Sequence, residues 1–390
     1  QLSVRGLDPE LAATCGSCGL CLPHRPTLRV TGEERYSPRG RIDAMRAVDS
    51  GELAIDAEFV DFVETCVQCR GCETACPSGV QFGALMEQTR TTLAEAGRIT
   101  PWWQRIGFRV LAHHRVLLAG STAVAAGQRL RVVPKRLGIP QLPLRRVPKV
   151  ETTGSDVWLF TGCVMDAWQR ETHRNTAALI ELTGATYAVP GTGGSCCGAL
   201  HVHAGLHDNA VALAQRVIES MPGDAPILVN SAGCGAAMKH YGDLLDTADA
   251  RRFSTRVLDI SEWLADRIDR LPAVRWRSTV IVQDPCHLRH VQRAHEPVRT
   301  LLAHVADVAE LDDDGLCCGA GGAYSALQPE LASRIRDRKL ASIDRATALT
   351  GATAVASANP GCSMHLGAML DLPVRHPVDL VAEALGVAAQ

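Results

Sequence analysis

Short apolar runs alternate with helical stretches from Asp156 to the end of the chain. The runs at 157–160, 227–229, 280–282 and 354–356 have the length and composition of strands that are buried on both faces. Helical stretches follow at about 167–182, 205–220, 292–303 and 329–345. Strands that alternate with helices in this way predict an α/β fold with largely parallel sheets.

The segment before this half has a different pattern. From Arg98 to Lys149 the chain contains eleven Lys or Arg residues and no Asp or Glu. This pattern predicts one or two basic helices and then an extended linker from Pro134 to Pro148. The apolar stretch from Val116 to Gln128 is too short for a membrane span, which needs about 20 residues. We interpret His113 and His114 as solvated helix positions.

The second half contains an internal repeat of cysteine motifs. In each copy one cysteine follows a predicted strand, a Cys-Cys-Gly motif comes next, and a last cysteine ends a Gly-Cys pair. The copies are Cys163, Cys196, Cys197 and Cys234, then Cys286, Cys317, Cys318 and Cys362. Matching cysteines are about 120–130 residues apart, the length of one small domain. Loops at the carboxyl ends of parallel strands are where α/β folds build their sites.

Composition narrows the class of protein. The chain has 390 residues, enough for two or three domains, and 46% of them are hydrophobic, as in a soluble protein with a core. A formal net charge of −2 indicates no particular partner, and we expect no nucleic acid. The fifteen cysteines are odd in number, and nothing before Thr14 resembles a secretory signal. Metal-binding thiolates therefore explain them better than disulfides do.

The most specific motif is a cysteine run in the first hundred residues. Its spacing is Cys66-x-x-Cys69-x-x-Cys72-x-x-x-Cys76-Pro77, and an upstream run has Cys15, Cys18 and Cys21. This is the pattern of two-cluster ferredoxins, in which the cysteine before the proline binds the other cluster. Zinc sites instead use tetrahedral sets of paired ligands. We therefore predict two [4Fe-4S] clusters and assign Cys15, Cys18, Cys21 and Cys76 to the first.

The second cluster lacks one cysteine. Its ligands are Cys66, Cys69 and Cys72, and the crossing rule puts the fourth ligand at position 25, which is Arg25 before Pro26. Arginine stays protonated and cannot bind iron. The alternatives are a three-iron cluster, a four-iron cluster with water or a small molecule on one iron, or ligation by His24. The sequence alone favours an altered four-iron cluster.

The Cys-Cys-Gly sets allow two interpretations. Two vicinal thiols with two more distant cysteines suggest further iron–sulfur clusters. The same order of cysteines in two copies argues against a chance pattern. The alternative is four buried structural thiols in each copy, because unpaired cysteine is often buried.

Together these motifs resemble the iron–sulfur subunit of bacterial glycolate oxidase, also called glycolate dehydrogenase. The resemblance covers nearly the whole chain and includes Ser37-Pro38-Arg39-Gly40-Arg41-Ile42 and residues 195–200, 317–325, 336–340 and 373–377. It implies partner subunits that bind FAD and oxidise glycolate to glyoxylate, while this chain passes electrons to a quinone or another acceptor. The Cys-Cys-Gly domain is also similar to those of heterodisulfide reductase and of anaerobic glycerol-3-phosphate dehydrogenase.

We therefore expect an α/β protein in four parts. Residues 1–97 form a helical two-cluster ferredoxin-like domain, 98–150 a basic helical connector, and 151–272 and 273–390 two repeated α/β cysteine-rich domains. We expect an electron-transfer subunit that is inactive alone, located in the cytoplasm or peripherally on the cytoplasmic membrane face, where a membrane or quinone is a further contact. The alternatives are a subunit of one of the related complexes and a non-catalytic redox sensor or scaffold.

Overall fold

The computed structural model describes residues 9–133, 141–191, 193–274, 278–313 and 315–389. The chain forms two compact units, and neither is continuous in sequence. The first, here called the helical unit, comprises Gln1–Phe108, Ala199–Ala210 and Leu316–Lys339. The second, the sheet unit, comprises Arg109–Gly198, Val211–Gly315 and Leu340–Gln390. The predicted domain boundaries at 97, 150 and 272 stay predictions.

Short helices dominate the first hundred residues, and side-chain caps fix where two of them begin. The Ser37 hydroxyl accepts a hydrogen bond from the Gly40 amide, and the Asp56 carboxylate accepts one from the Phe59 amide. Such caps satisfy amides that have no partner within the helix. The helices up to residue 112 are Pro9–Ala13, Pro26–Thr31, Pro38–Asp49, Ala57–Glu64, Gly71–Thr74, Phe82–Glu95 and Trp102–Ala112, with 3-10 turns at Leu22–His24 and Glu34–Tyr36.

The sheet unit contains two four-stranded sheets in which every pairing is parallel. Both have the same strand order, β2-β1-β3-β4 and β6-β5-β7-β8. The identical order confirms the internal repeat as a structural one. The strands are β1 Val157–Phe160, β2 Tyr187–Ala188, β3 Ile227–Val229, β4 Val257–Asp259, β5 Thr279–Val282, β6 Asp307–Ala309, β7 Ala354–Ala356 and β8 Val374–Arg375.

Apolar side chains from both sheets join in one core. Leu159 of β1, Val280 of β5 and Ala354 of β7 belong to it and are almost completely buried. The other helices of the chain are His114–Arg129, Val164–Trp168, Arg170–Leu182, Ala199–His203, His207–Ser220, Ala232–Lys239, Tyr241–Leu245, Ala248–Thr255, Ile260–Ala265, Glu296–Ala303, Tyr324–Leu327, Pro329–Thr350, Pro360–Gly367 and Pro377–Ala384, with short turns at Ile268–Arg270 and His287–Gln292.

The predicted elements can be compared with this structure. The four predicted strands and the helices after them are confirmed, as are the α/β fold class and two helices in the basic segment. Of the predicted linker from Pro134 to Pro148, residues 134–140 lie outside the described chain, and 141–148 contain neither helix nor strand. Among the described residues, no helix combines the length and apolar character needed to cross a bilayer.

Candidate metal centres

The first cysteine run and Cys76 come together in the helical unit. Burial raises the pKa of the Cys21 thiol; Arg25 opposes that shift, and Cys15 and Cys76 lie close enough to add to it. Cys15, Cys21 and Cys76 are half-buried against the apolar core of the unit, while Cys18 on the same loop is exposed. Three of the four predicted ligands therefore lie in the same region of the helical unit, and the fourth, Cys18, lies on the loop that connects two of them.

Two arginines of one helix brace this loop. Arg39 donates to the Ser17 carbonyl at 3.0 Å, and Arg46 donates to the Cys15 carbonyl at 3.1 Å. Both extend from the helix Pro38–Asp49, which starts within the Pro-Arg-Gly-Arg motif. Arg39 of the motif and Arg46 later in the helix thus hold the backbone that presents the first cysteines.

The second cysteine run is deeply buried and faces Arg25. Cys66, Cys69 and Cys72 are at most 3% exposed, and the Arg25 side chain is 2% exposed. The Arg25 Nη1 lies 4.0 Å from the Cys66 Sγ, and all three thiols interact electrostatically with its guanidinium. Burial raises the pKa of the Cys72 thiol, which Arg25 opposes.

Two further buried arginines hold the backbone at Cys66. Arg41 donates to the Phe62 carbonyl at 2.6 Å, and Arg90 donates to the Cys66 carbonyl at 3.1 Å. Burial by itself would raise the pKa of the Cys66 thiol, but the charges of Arg41, Arg25 and Arg90 hold it below its usual value. The thiolate form that binds iron is therefore favoured at this position.

A tyrosine from far along the chain completes the same site. The Tyr324 hydroxyl donates to the Thr65 carbonyl at 3.1 Å, and burial raises the pKa of this phenol. Tyr324 follows the second Cys-Cys-Gly motif and interacts electrostatically with both Cys66 and Cys317. A cavity of about 50 Å³, large enough for several water molecules, opens beside Cys66 and is lined by Arg90, Tyr324 and others. Sequence reasoning did not anticipate this contribution from the repeat.

The structure bears on the choice between His24 and Arg25. His24 ends a 3-10 turn, and the next residue begins the approach to helix Pro26–Thr31 in extended conformation. It is the Arg25 side chain that lies at the three thiols and packs over the Phe82 ring, 4.3 Å from its centroid. Ligation by His24 stays a prediction.

The first Cys-Cys-Gly set forms a compact group of four thiols in the sheet unit. Cys163 is hydrogen-bonded to Cys196, and Cys197 to Cys234. The hydrogen bond from Cys163 lowers the pKa of Cys196, and the one from Cys197 lowers the pKa of Cys234. The pKa values of the two donor thiols, Cys163 and Cys197, are raised, first by these bonds and then by burial.

Strand ends and a glycine produce this grouping. Cys163 follows β1, the Cys196–Cys197 pair follows β2, and Cys234 follows β3; these three strands are neighbours and end at the same sheet edge. Gly198 then has φ +79°, a conformation that side-chain-bearing residues rarely adopt. The glycine of the motif thus turns the chain away directly after the two thiols.

The second set is divided between the two compact units. Cys286 and Cys362 belong to the sheet unit, and Cys317 and Cys318 belong to the helical unit. Within the sheet unit the Cys286 Sγ lies 3.5 Å from the His287 Nδ1, and Asn359 donates to the Cys362 Sγ at 3.5 Å. Within the helical unit the Gly319 amide donates to the Cys317 Sγ at 3.3 Å.

A buried ionic group lies next to the first set. Asp166, three residues after Cys163, accepts two hydrogen bonds from Arg170 and one from His114 at 2.7 Å. Burial would raise the pKa of Asp166, but these donors hold it well below its usual value. The interpretation of His114 as a solvated position is therefore wrong, because its side chain is only 17% exposed and carries this contact.

The residues present fit iron–sulfur clusters by the chemistry of the donors. All fifteen cysteines lie in the described chain and none forms a disulfide. Within the described ranges, no three His, Cys, Asp or Glu side chains are arranged to hold a single metal ion. The fit therefore rests on sulfur-only donor sets, on their burial, and on backbone amides and guanidinium groups that can donate to cluster sulfur.

Family models match the segments of the chain that contain these cysteines. Residues 11–80 match the model of a 4Fe-4S dicluster domain, and 157–239 and 280–367 each match that of the cysteine-rich domain. The chain is 32% identical to the probable glycolate oxidase iron–sulfur subunit of Bacillus subtilis, over 97% of this chain and 95% of that protein. This chain belongs to the family of glycolate oxidase iron–sulfur subunits. The resemblance seen in the sequence is therefore confirmed, and with it the ferredoxin-type and cysteine-rich domains of an oxidoreductase subunit.

The chain is also similar to proteins of lower sequence identity. The glycolate oxidase iron–sulfur subunit of Escherichia coli is 28% identical over 98% of this chain and 97% of its own length. One subunit of the dihydromethanophenazine:CoB–CoM heterodisulfide reductase of Methanosarcina mazei is also 28% identical, over 96% of this chain and 94% of its own length. Proteins similar to this chain along nearly their full length thus include subunits named for glycolate oxidase and for heterodisulfide reductase.

Proposed function

We propose that this chain is the electron-transfer subunit of a flavin-dependent 2-hydroxyacid dehydrogenase that converts glycolate to glyoxylate. FAD is bound by partner subunits, and the final acceptor is a quinone or another oxidant. The similarity to two glycolate oxidase subunits along almost the full chain supports this substrate.

One structural observation carries the relay role. Arg25 interacts electrostatically with Cys66, Cys69 and Cys72 and also with Cys21 of the other ferredoxin-type set, so both sets have this side chain as a neighbour. We expect electrons to pass between two centres that share a neighbouring side chain. A metal that only stabilised the fold would not require two adjacent sets.

The chemistry divides between subunits. Oxidation of glycolate releases two electrons and two protons, which a flavin can accept together, whereas a bound iron–sulfur cluster supplies a one-electron site. This sequence contains no convincing flavin or nicotinamide motif. The role of this chain is therefore to hold the clusters in series, with the arginines and amides around them setting their potentials.

Anaerobic spectroscopy of the complex tests the proposal. The chain is produced with its flavin-binding subunits, and glycolate should bleach the visible absorbance of the clusters within the turnover time. The cluster-loaded chain alone should reduce no dye with glycolate. Substantial glycolate-dependent turnover by the isolated chain, or clusters that stay oxidised during turnover by the complex, would contradict the relay.

Heterodisulfide reduction is the second candidate function. It is favoured by the similarity to the heterodisulfide reductase of Methanosarcina mazei and by the compact four-thiol group at Cys163. Reduction of a disulfide substrate by the isolated chain with a chemical electron donor would support it, while glycolate-dependent cluster reduction without such activity would exclude it.

We also propose a peripheral membrane contact. The helix Trp102–Ala112 exposes Trp102 and Ile106 by 73% and 53%, and Arg109 and Arg115 are exposed nearby in the sequence. Aromatic and basic side chains together suit the interface of an anionic bilayer. Two other cations of the basic segment stabilise the fold instead, because Arg105 and Arg129 donate hydrogen bonds to backbone carbonyls.

A further inference from the structure

The side chain at position 25 points into the second cluster site although it cannot bind iron. Arg25 occupies the place before Pro26 that the ferredoxin pattern gives to a cysteine, and its guanidinium interacts electrostatically with all three thiols of the set. It is held there by the Phe82 ring below it and by the Cys66 sulfur. The position of the missing ligand is thus filled by a cation that has no lone pair to donate.

Two donors of this guanidinium have no partner among the protein atoms. The Nε and Nη2 of Arg25 are buried and unbonded, and the third nitrogen reaches only the Cys66 sulfur. Buried charges are normally paired, because a lone ion loses its hydration without compensation. The N–H groups of these two nitrogens therefore indicate anionic acceptors that the protein atoms do not supply.

The two other buried arginines at the site are also cations, so they cannot accept these hydrogen bonds. Arg41 and Arg90 direct their N–H groups mainly to backbone carbonyls such as those of Phe62 and Val63. All three guanidinium groups act on Cys66. Glu64 balances part of the charge of Arg90, whereas the anionic groups that act on Arg25 are the thiolates of Cys72, Cys66, Cys69 and Cys21.

We propose that Cys66, Cys69 and Cys72 hold a three-iron cluster whose open corner is capped by Arg25. A cube that lacks its fourth iron exposes three sulfides at that corner, and each can accept an N–H bond from the planar guanidinium fork. A fourth iron would instead need an electron-pair donor at the place where the cation lies. The buried guanidinium therefore favours a three-iron cluster over the altered four-iron cluster that the sequence alone favours.

The other ferredoxin-type site provides an internal comparison. It has four cysteines, Cys15, Cys18, Cys21 and Cys76, and its loop is partly exposed. The two clusters of one chain should therefore differ in iron content. Because three buried cations stabilise an added electron at the Cys66 site, its cluster should also be reduced first in a titration.

Iron analysis and electron paramagnetic resonance of the full chain, purified anaerobically, test the proposal without substrate. The oxidised wild type should show the near-isotropic signal of a three-iron cluster. Arg25→Cys should lose that signal, gain one iron per chain and show a second reduced four-iron signal. Arg29→Cys, which adds a thiol at an exposed position of the helix that follows Arg25, should behave as the wild type. Equal iron content in wild type and Arg25→Cys, with no three-iron signal, would overturn the proposal.

Incubation with ferrous iron and a reductant separates a built three-iron site from a damaged four-iron cluster. The wild-type signal should persist, because Arg25 closes the corner. Arg25→Met, which has similar bulk without charge or donors, should take up iron and lose the signal, and this variant keeps the test valid if the cysteine variant does not fold. Conversion of the wild type to a four-iron cluster under these conditions would refute the capping role.

Discussion

The buried carboxylate beside the first Cys-Cys-Gly set gives a sharp prediction for Asp166→Asn. The Asp166 side chain is 5% exposed and the Arg170 side chain 11%, and two hydrogen bonds of 2.9 and 3.0 Å join them. The substitution leaves Arg170 buried without its counter-charge, which costs about 3–5 kcal/mol for pairs of this kind. Lys149 is 57% exposed and contributes little. We expect a loss of about 3 kcal/mol, since the amide retains one acceptor.

A surface pair in the same unit serves as the matched control. Asp312 accepts two hydrogen bonds from Arg345, but both side chains are more than half exposed, so Asp312→Asn should lose far less stability. Urea unfolding of the metal-free chain, followed by circular dichroism, measures both free energies. Equal losses in the two variants would refute the argument that burial makes the Asp166 pair important.

The pH dependence of the Asp166 contribution has a defined sign. The folded-state pKa of Asp166 lies below the unfolded-state value of about 3.9, so its stabilisation is complete above that value. It is lost as the pH falls through the folded-state pKa. The stability difference between wild type and Asp166→Asn should therefore shrink below about pH 4 and stay constant from about pH 5 to 7.

Three further outcomes follow from the structure. Gly319→Ala should destabilise the chain by about 2–4 kcal/mol in thermal unfolding, because φ is +88° and a Cβ would lie 2.6 Å from the Ala332 carbonyl oxygen. Gly351→Ala is the control: a Cβ there would meet open space, so the change should cost about 1 kcal/mol. Cys196→Ser should lower the iron content if the first set binds a cluster, and unchanged iron would favour structural thiols. Changing Arg109 and Arg115 to Glu should weaken binding of the chain to anionic vesicles at low salt. If these changes instead abolish binding to the flavin subunits and leave vesicle binding unaffected, the basic segment contacts that partner rather than a membrane.

The sequence predicts the centre of each sheet better than its edges. The four predicted strands are β1, β3, β5 and β7, which lie inside the two sheets and are buried on both faces. The four missed strands are all edge strands. Two of them, β2 and β8, are two residues long, and β4 and β6 contain Asp259 and Asp307. An edge strand needs fewer apolar residues, so a pattern of apolar runs does not detect it.

In the candidate sites, too, features that depend on neighbouring residues in the sequence could be predicted, and contacts between distant segments could not. Spacing along the chain identified the cysteine sets and the odd residue at position 25, because those signals are local. It did not show that the Arg25 side chain enters the site, that Asp166 pairs with His114, or that Tyr324 reaches Thr65. Each of these contacts depends on tertiary packing between segments that carry no shared motif.

The long separation between Tyr324 and Thr65 has a consequence for biosynthesis. The two residues are 259 positions apart, and the helical unit also needs Leu316–Lys339 to be complete. At roughly 5–20 residues per second, a ribosome takes about ten to fifty seconds to synthesise the chain between them. During that interval the nascent Cys66 loop lacks the hydroxyl that secures it, and its thiols are open to oxidation. Iron delivery to this centre is therefore expected late in translation or after release, and a fragment ending near residue 97 should load it poorly.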